Sequence, residues 1–221
     1  MKKTAIGLLL VLFGFAAMAS VKAAPYITGA YVDTDLEVDA PFNQAFNDDA
    51  SGYMLGFGWQ TSKPWLAVEL TYTDFGDSSK AIVDTYVRDD YTSTETLTGT
   101  YEGKAADLWL VGRFSPINIT DNRPLNIVPR VGITAASSRA SINYNQTVTN
   151  EGEVIYSNSA RASVTDSGIG YAYGIGLEVA NVLPGMDVFI DYRKHEVEMV
   201  YAGQVVDFDP STYQLGINYH F

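Results

Sequence analysis

Few side chains in this sequence are equipped for acid–base or nucleophilic chemistry. Histidine occurs twice, at His195 and His220, and cysteine not at all, so two imidazoles are the only ordinary proton carriers near neutral pH. His195 stands in Tyr192-Arg-Lys-His-Glu196 with a carboxylate beside it. On a strand, adjacent side chains point to opposite faces, so Glu196 is badly placed to orient that ring. His220 is one residue from the end, where interfacial packing or a hydrogen bond explains it. The expectation is that there are no catalytic residues.

Carboxylates offer the other chemistry, the binding of hard cations through oxygen. Asp33, Asp35, Glu37 and Asp39 recur at every second position, and Asp48 and Asp49 follow. The ordered ligand spacing of an EF-hand is missing, and a solvated acidic loop accounts for the run. No metal site or cofactor is expected; weak calcium or magnesium bridging to lipopolysaccharide phosphates is the alternative. A second charged set, Glu69, Asp107, Arg113, Arg130, Glu178 and Asp191, is spread along the chain as single charges. What places these six is the pattern around them.

That pattern is strict alternation. Tyr53, Leu55, Phe57 and Trp59 alternate with Met54, Gly56 and Gly58; Leu66, Val68, Leu70 and Tyr72 alternate with Ala67, Glu69 and Thr71. Leu108, Leu110 and Phe114 oppose Asp107, Trp109 and Arg113 less cleanly, and Ile127, Val131 and Ile133 oppose Arg130 and Thr134. Ile169 to Val179 sets bulky apolar residues against Gly170, Ala172, Gly174, Gly176 and Glu178, and Val188, Ile190 and Tyr192 oppose Asp187, Asp191 and Arg193. With the closing segment from Tyr213 and a weaker one from Tyr26 to Thr34, eight strands result.

A water-soluble sheet would turn its apolar side inward. Here the other side is glycine, alanine and single charges, which suits a cramped interior, and tyrosine and tryptophan lie near strand ends as in membrane girdles. A β-barrel is the all-strand structure that crosses hydrocarbon with its backbone paired. Three short connections, Gln60 to Pro64, Ser115 to Asn126 and Ala180 to Gly185, alternate with four long polar ones near 35–51, 76–104, 136–167 and 194–210. The expected fold is therefore all-β, an eight-stranded antiparallel up-and-down transmembrane barrel with three periplasmic turns and four extracellular loops. Ile142 to Val148 and Val197 to Val206 read as strand-like, so strands extending past the membrane are also expected. The six charges then point into the lumen, where eight strands leave just enough room for side chains. Mutual pairing and little or no conductance are expected, in preference to an ion pathway.

The chain begins Met1-Lys2-Lys3, runs apolar from Ala5 to Ala19, and reaches small residues before Ala24. This predicts a secretory signal peptide over 1–23 and a barrel domain over 24–221. The net charge is −12, and residues 1–23 carry three lysines and no acid, so the mature chain is more acidic still and unsuited to nucleic acid. No cysteine is available for disulfide stabilisation after export.

The last residues read Tyr213-Gln-Leu215-Gly-Ile217-Asn-Tyr219-His-Phe221. A terminal Phe preceded by apolar residues at every second position resembles the C-terminal signal that the barrel assembly machinery reads. With Gly-Ile-Gly-Leu-Glu178 and Val-Phe-Ile-Asp191-Tyr, the layout resembles the eight-stranded OmpA transmembrane domain and small relatives such as OmpX. Peptidoglycan anchoring, which in the full-length OmpA protein belongs to a domain after the barrel, is not expected here. The resemblance implies a bacterial outer-membrane location and structural, adhesive or colonisation roles, with outer-membrane lipid, lipopolysaccharide and a host surface or matrix ligand as partners. Tyr86, Tyr91, Tyr101, Tyr144, Tyr156 and Tyr201 fall in or near the long connections, where they suit either a binding surface or cross-strand pairs. The expected function is a non-enzymatic surface barrel, with a low-conductance pore and a lipid-modifying enzyme as the alternatives. The His-x-Ser pair of lipid A deacylases is missing after His195.

Overall fold

The structure, a computed structural model, describes residues 24–36, 49–120, 123–201 and 204–221. The expected signal peptide and the acidic residues Glu37, Asp39 and Asp48 lie outside them. Among the described residues ten strands are present: β1 (Ala24–Asp35), β2 (Asp49–Gln60), β3 (Leu66–Arg88), β4 (Tyr91–Gly112), β5 (Phe114–Thr120), β6 (Arg123–Asn150), β7 (Glu153–Leu183), β8 (Met186–Tyr201), β9 (Gln204–Phe208) and β10 (Ser211–His220). Eight of them pair antiparallel in the order β10-β1-β2-β3-β4-β6-β7-β8, and β8 pairs with β10 to close the ring. Closure leaves no edge within the ring, which is why a sheet can sit in hydrocarbon. Among the described residues no helix is long and apolar enough to cross a membrane.

The ring is inside-out relative to a soluble barrel. Leu110 is 49% exposed, Val131 61% and Ile217 48%, all facing away from the axis, whereas Glu69, Asp191 and Arg193 inside are sealed off completely or nearly so. Hydrocarbon is the solvent that favours this arrangement, because exposed apolar side chains gain nothing from water. Aromatic residues border the apolar band at both ends. Tyr53 lies 6.5 Å from Tyr72 and Tyr192 5.3 Å from Tyr213 at one end, Trp65 6.4 Å from Phe114 and Tyr219 5.5 Å from Phe221 at the other. Tyr213, Leu215, Ile217, Tyr219 and Phe221 all face outward along β10 and beyond its end.

Glycines make room for what fills the lumen. A Cβ on Gly58 would lie 1.9 Å from the Tyr26 ring, and one on Gly176 would lie 1.6 Å from Asp191 Oδ1. Gly76 has a different task. It takes φ +88° at a bulge between Asp74 and Gly76 in the β3–β4 register, a conformation that costs glycine little and other residues more.

Two expectations about connections are corrected. Residues 115–126 are not a plain turn, because β5 folds back on the first residues of β6 with Ile117 opposite Leu125; alternating apolar residues there support a short hairpin. Two of the long polar stretches, 76–104 and 136–167, are not irregular loops either, and the strand extension expected at 142–148 takes in nearly their whole length. β3 and β4 stay paired from Leu66↔Gly112 to Arg88↔Tyr91, and β6 and β7 from Leu125↔Val179 to Asn150↔Glu153, with only Asp89-Asp90 and Glu151-Gly152 at the tips. Threonine-rich alternation satisfies the backbone through ladder hydrogen bonds instead of water. β4 and β6 also pair to the top, so β3, β4, β6 and β7 continue past the aromatic border as one four-stranded projecting sheet.

Candidate functional site

All six charges expected in the lumen are buried inside the ring. β-pleating explains this locally: Asp191, Arg193 and His195 sit at every second position of β8, as do Asp107, Trp109 and Val111 on β4, so each set shares the inner face.

Three carboxylates and three guanidiniums interlock near the mid-barrel. Arg113 Nε is 3.1 Å from Glu178 Oε1, and its Nη2 lies 3.6 Å from Glu69 Oε1. Arg130 pairs with Glu69 through Nη1 and, at 2.9 Å, with Asp191 Oδ2 through Nε. Arg193 Nη2 donates to the same Asp191 oxygen at 2.9 Å. Neutral groups complete the shells: the Tyr26 hydroxyl donates to Glu69 at 2.6 Å, and the amides of Asn126 and Asn218 donate to Glu178 at 2.8 Å each. Aromatic faces carry the arginines, with Arg113 5.0 Å from the Tyr26 ring centroid and Arg193 5.2 Å from that of Trp109. Buried ions need such pairing, because taking each from water costs several kcal/mol. Planar guanidiniums suit it by bridging two carboxylates at once.

Asp107 stands apart from this network. It lies 3.3 Å from His195 Nε2 and accepts from the Thr71 hydroxyl at 3.2 Å, which in turn accepts from Trp109 Nε1 at 3.0 Å. His195 is therefore not at an open strand end but fully enclosed, 5.1 Å from the Phe75 ring and 5.9 Å from that of Trp109. Its carboxylate partner comes from β4, while Glu196 points outward and accepts from the Tyr171 hydroxyl. His220 pairs with Asp187 at 2.7 Å near the tight-turn end and packs 5.0 Å from the Tyr26 ring. Above His195 the lumen is stoppered by apolar side chains: Leu36, Phe75, Val197, Met199 and Phe208 form one cluster, with the Phe75 and Phe208 rings 5.8 Å apart.

Tyr26, Arg193 and His195 belong to this interior and were absent from the expected set. Arg193 and His195 share parity with Asp191, which was the available signal; Tyr26 lies on the strand with the weakest alternation. Among the described residues no group of three metal-ligating side chains comes together. Chemically, the interior can hold strands in register; among the described residues it brings no nucleophile to an open cleft.

Of the loop tyrosines, Tyr86, Tyr91 and Tyr156 are exposed on the projecting sheet, while Tyr101 packs 6.1 Å from Phe208. Tyr144 stands opposite Leu97. The cross-strand pairing expected of these residues thus occurs at Tyr144.

No curated protein sequence matches the chain. Its fold is similar to that of Ail, the attachment invasion locus protein of Yersinia pestis, solved in complex with a heparin analogue, at 16% identity and TM-score 0.48 over 90% of this chain and 99% of that one. Similar too are Neisserial surface protein A, at 13% identity and TM-score 0.46 over 90% and 97%, and OprG of Pseudomonas aeruginosa, at 13% and 0.43 over 91% and 97%. The model of the outer membrane protein beta-barrel domain matches residues 6–221, and the chain belongs to that family.

Proposed function

We propose that this chain is a non-enzymatic surface barrel, exported with residues 1–23 as a cleaved signal and inserted with its tight turns to the periplasm and its hairpins outside. The alternating residues Tyr213 to Phe221 serve as its assembly signal. The observation that carries the reading is the pairing of β3, β4, β6 and β7 to their tips, where Glu151 N–H donates to Asp90 O at 3.2 Å. A paired sheet gives up little conformational entropy on binding, so it suits a rigid contact surface better than free loops would. Exposed Tyr86, Tyr91 and Tyr156 supply contact area with a polar end. The role is adhesion to, or colonisation of, a host surface or matrix.

Deleting 80–99 tests this. Lys80 pairs with Gly99, so Ser79 and Thr100 would be left to close a shorter hairpin on an intact ring. The variant should remain heat-modifiable on a gel and lose binding to matrix-coated surfaces. Adhesion equal to that of the parent, repeated for a matching truncation of β6–β7, would remove the role. A pore is the weaker reading, because paired charges fill the lumen and apolar side chains close its hairpin end.

A further inference from the structure

The projecting sheet has two unlike faces. On the side away from the axis, the upper part of β4 carries threonine at every second position, Thr92, Thr94, Thr96, Thr98 and Thr100. The other side continues the lumen-facing positions Ser78 and Tyr101, and its cross-strand rows run in bands. Ile82, Leu97 and Tyr144 lie in one row, and Asp84, Glu95, Gln146 and Asn158 form the next. Above them come Tyr86, Ser93, Val148 and Tyr156, and at the tip Arg88, Tyr91, Asn150 and Glu153. Successive rows are about 7 Å apart, two residues of strand rise. Tyr86, Tyr91 and Tyr156 are all exposed, and Tyr86, Arg88, Tyr91, Ser93 and Val148 line a hollow of about 380 Å³.

Within this tyrosine-lined face the acid row is the anomaly. Asp84 and Glu95 stand directly opposite each other, where like charges destabilise a sheet. Asp84 has no partner among the described residues, while Glu95 has the neutral Gln146 amide, donating at 2.9 Å, and the Tyr144 hydroxyl. Glu198 and Asp207 also oppose each other, across β8–β9, but with no tyrosine two residues away in either strand. Two facing carboxylates with tyrosines in the rows above and below make a seat for a guanidinium, which bridges carboxylates in its plane and stacks on aromatic rings. Net charge favours the same occupant. Residues 84–95 and 148–156 hold six acids, Asp84, Asp89, Asp90, Glu95, Glu151 and Glu153, against the single cation Arg88, so the tip draws positive charge. We propose that this face docks an extended, arginine-bearing segment of a partner protein, with a guanidinium between Asp84 and Glu95 beneath Tyr86 and apolar neighbours on Ile82, Leu97 and Val148. Alternate side chains of an extended segment share the spacing of these rows, so one partner strand fills successive bands.

Docking of this kind rests on the surface role proposed above and names its partner class. The test uses the refolded mature barrel in phosphatidylcholine nanodiscs at low ionic strength, titrated with labelled tetra-arginine and with tetra-citrulline as its neutral isostere. Asp84→Asn combined with Glu95→Gln should weaken tetra-arginine binding about tenfold, the equivalent of about 1.4 kcal/mol, with the heat-modifiable gel shift retained as the sign of folding. Tyr86→Ala should weaken it about threefold, and Tyr86→Phe should recover it, because the ring face is what a guanidinium uses. Arg88→Gln should tighten binding by removing a like charge from the hollow. Tetra-citrulline should bind parent and double variant equally weakly. Unchanged tetra-arginine affinity in the double variant would overturn the site. So would an equal loss on Glu198→Gln combined with Asp207→Asn, since that pattern belongs to diffuse attraction by an acidic surface. The two readings fail separately on cells. Adhesion lost on deletion of 80–99 but kept by the Asp84→Asn, Glu95→Gln variant overturns the arginine-bearing partner alone, whereas adhesion kept by both overturns the surface role and the partner with it.

Discussion

The three-against-three charge balance of the mid-barrel network makes two arginines, both buried and both bridging, unequal in consequence. Replacing Arg130 with Met keeps most of its packing stem and removes its contacts to Glu69 and Asp191, yet Glu69 retains Arg113 and the Tyr26 hydroxyl, and Asp191 retains Arg193. Arg113→Met is different. Glu178 then keeps the amides of Asn126 and Asn218 but no cation in contact. Breaking a buried pair so that one charge is stranded costs about 3–5 kcal/mol, and Arg113→Met belongs in that range. Arg130→Met leaves neither acid stranded and should cost about 1–3 kcal/mol, the scale of lost charge-assisted hydrogen bonds. Glu178→Gln keeps an acceptor oxygen and removes the stranded charge, so adding it to Arg113→Met should recover most of the loss. The measurement is urea unfolding of the refolded barrel in lipid vesicles, followed by tryptophan fluorescence. Equal costs for the two arginines, or a double variant no more stable than Arg113→Met, would refute this account of the network.

Three further outcomes follow from the same geometry. Leu110→Arg, on the lipid side, should lower stability by about 2–4 kcal/mol if it lies near the midplane, whereas Thr98→Arg on the projecting sheet should change it little; similar effects at both sites would contradict the placement of the band. Purified protein in planar bilayers should show little or no conductance, because the Phe75–Phe208 stopper and the ion pairs fill the bore, and stable large channels would overturn that. Asp209, above the spanning segments, has its carboxyl pushed up by burial and by Asp207. A raised folded value means the proton is held more tightly folded than unfolded, so the penalty appears as pH rises past the unfolded value and is absent below it. Asp209→Asn should thus be more stabilising at about pH 7 than at about pH 3, and an identical effect at both would count against it.

Alternation made most of the ring legible, because the period of two is a property of single strands: β2, the lower part of β3, β7 and β10 could each be read alone. The six lumen charges were assigned a side for the same reason. Their partners could not be read. Glu69 meets Arg130 across the lumen, from β3 to β6, and which residues face one another there depends on strand stagger, which no local pattern records. His195 illustrates the same gap, since its partner Asp107 is 88 residues away in sequence. Trp109 looked like an irregularity on a polar face, although an indole face is a favourable seat for the buried guanidinium of Arg193. Strand extension is legible at Ile142 to Val148 and Val197 to Val206, but the rest of the hairpins reads as loop because Thr, Ser and Asn suggest turns when taken by composition. Their every-second-residue spacing carried the opposite message.

The bulge at Phe75 and Gly76 has a consequence for anyone who would move these hairpins between barrels. Below it, odd-numbered positions of β3 such as Glu69, Thr71 and Thr73 point to the axis; above it the buried residue is the even-numbered Ser78. β4, running beside it, makes no such change of phase. A transplanted hairpin must therefore be counted from Gly76 and not from the foot of the strand. Spliced one residue out of step, it would turn its tyrosines and isoleucines outward and its threonines toward the bore, presenting a different molecule on the same scaffold.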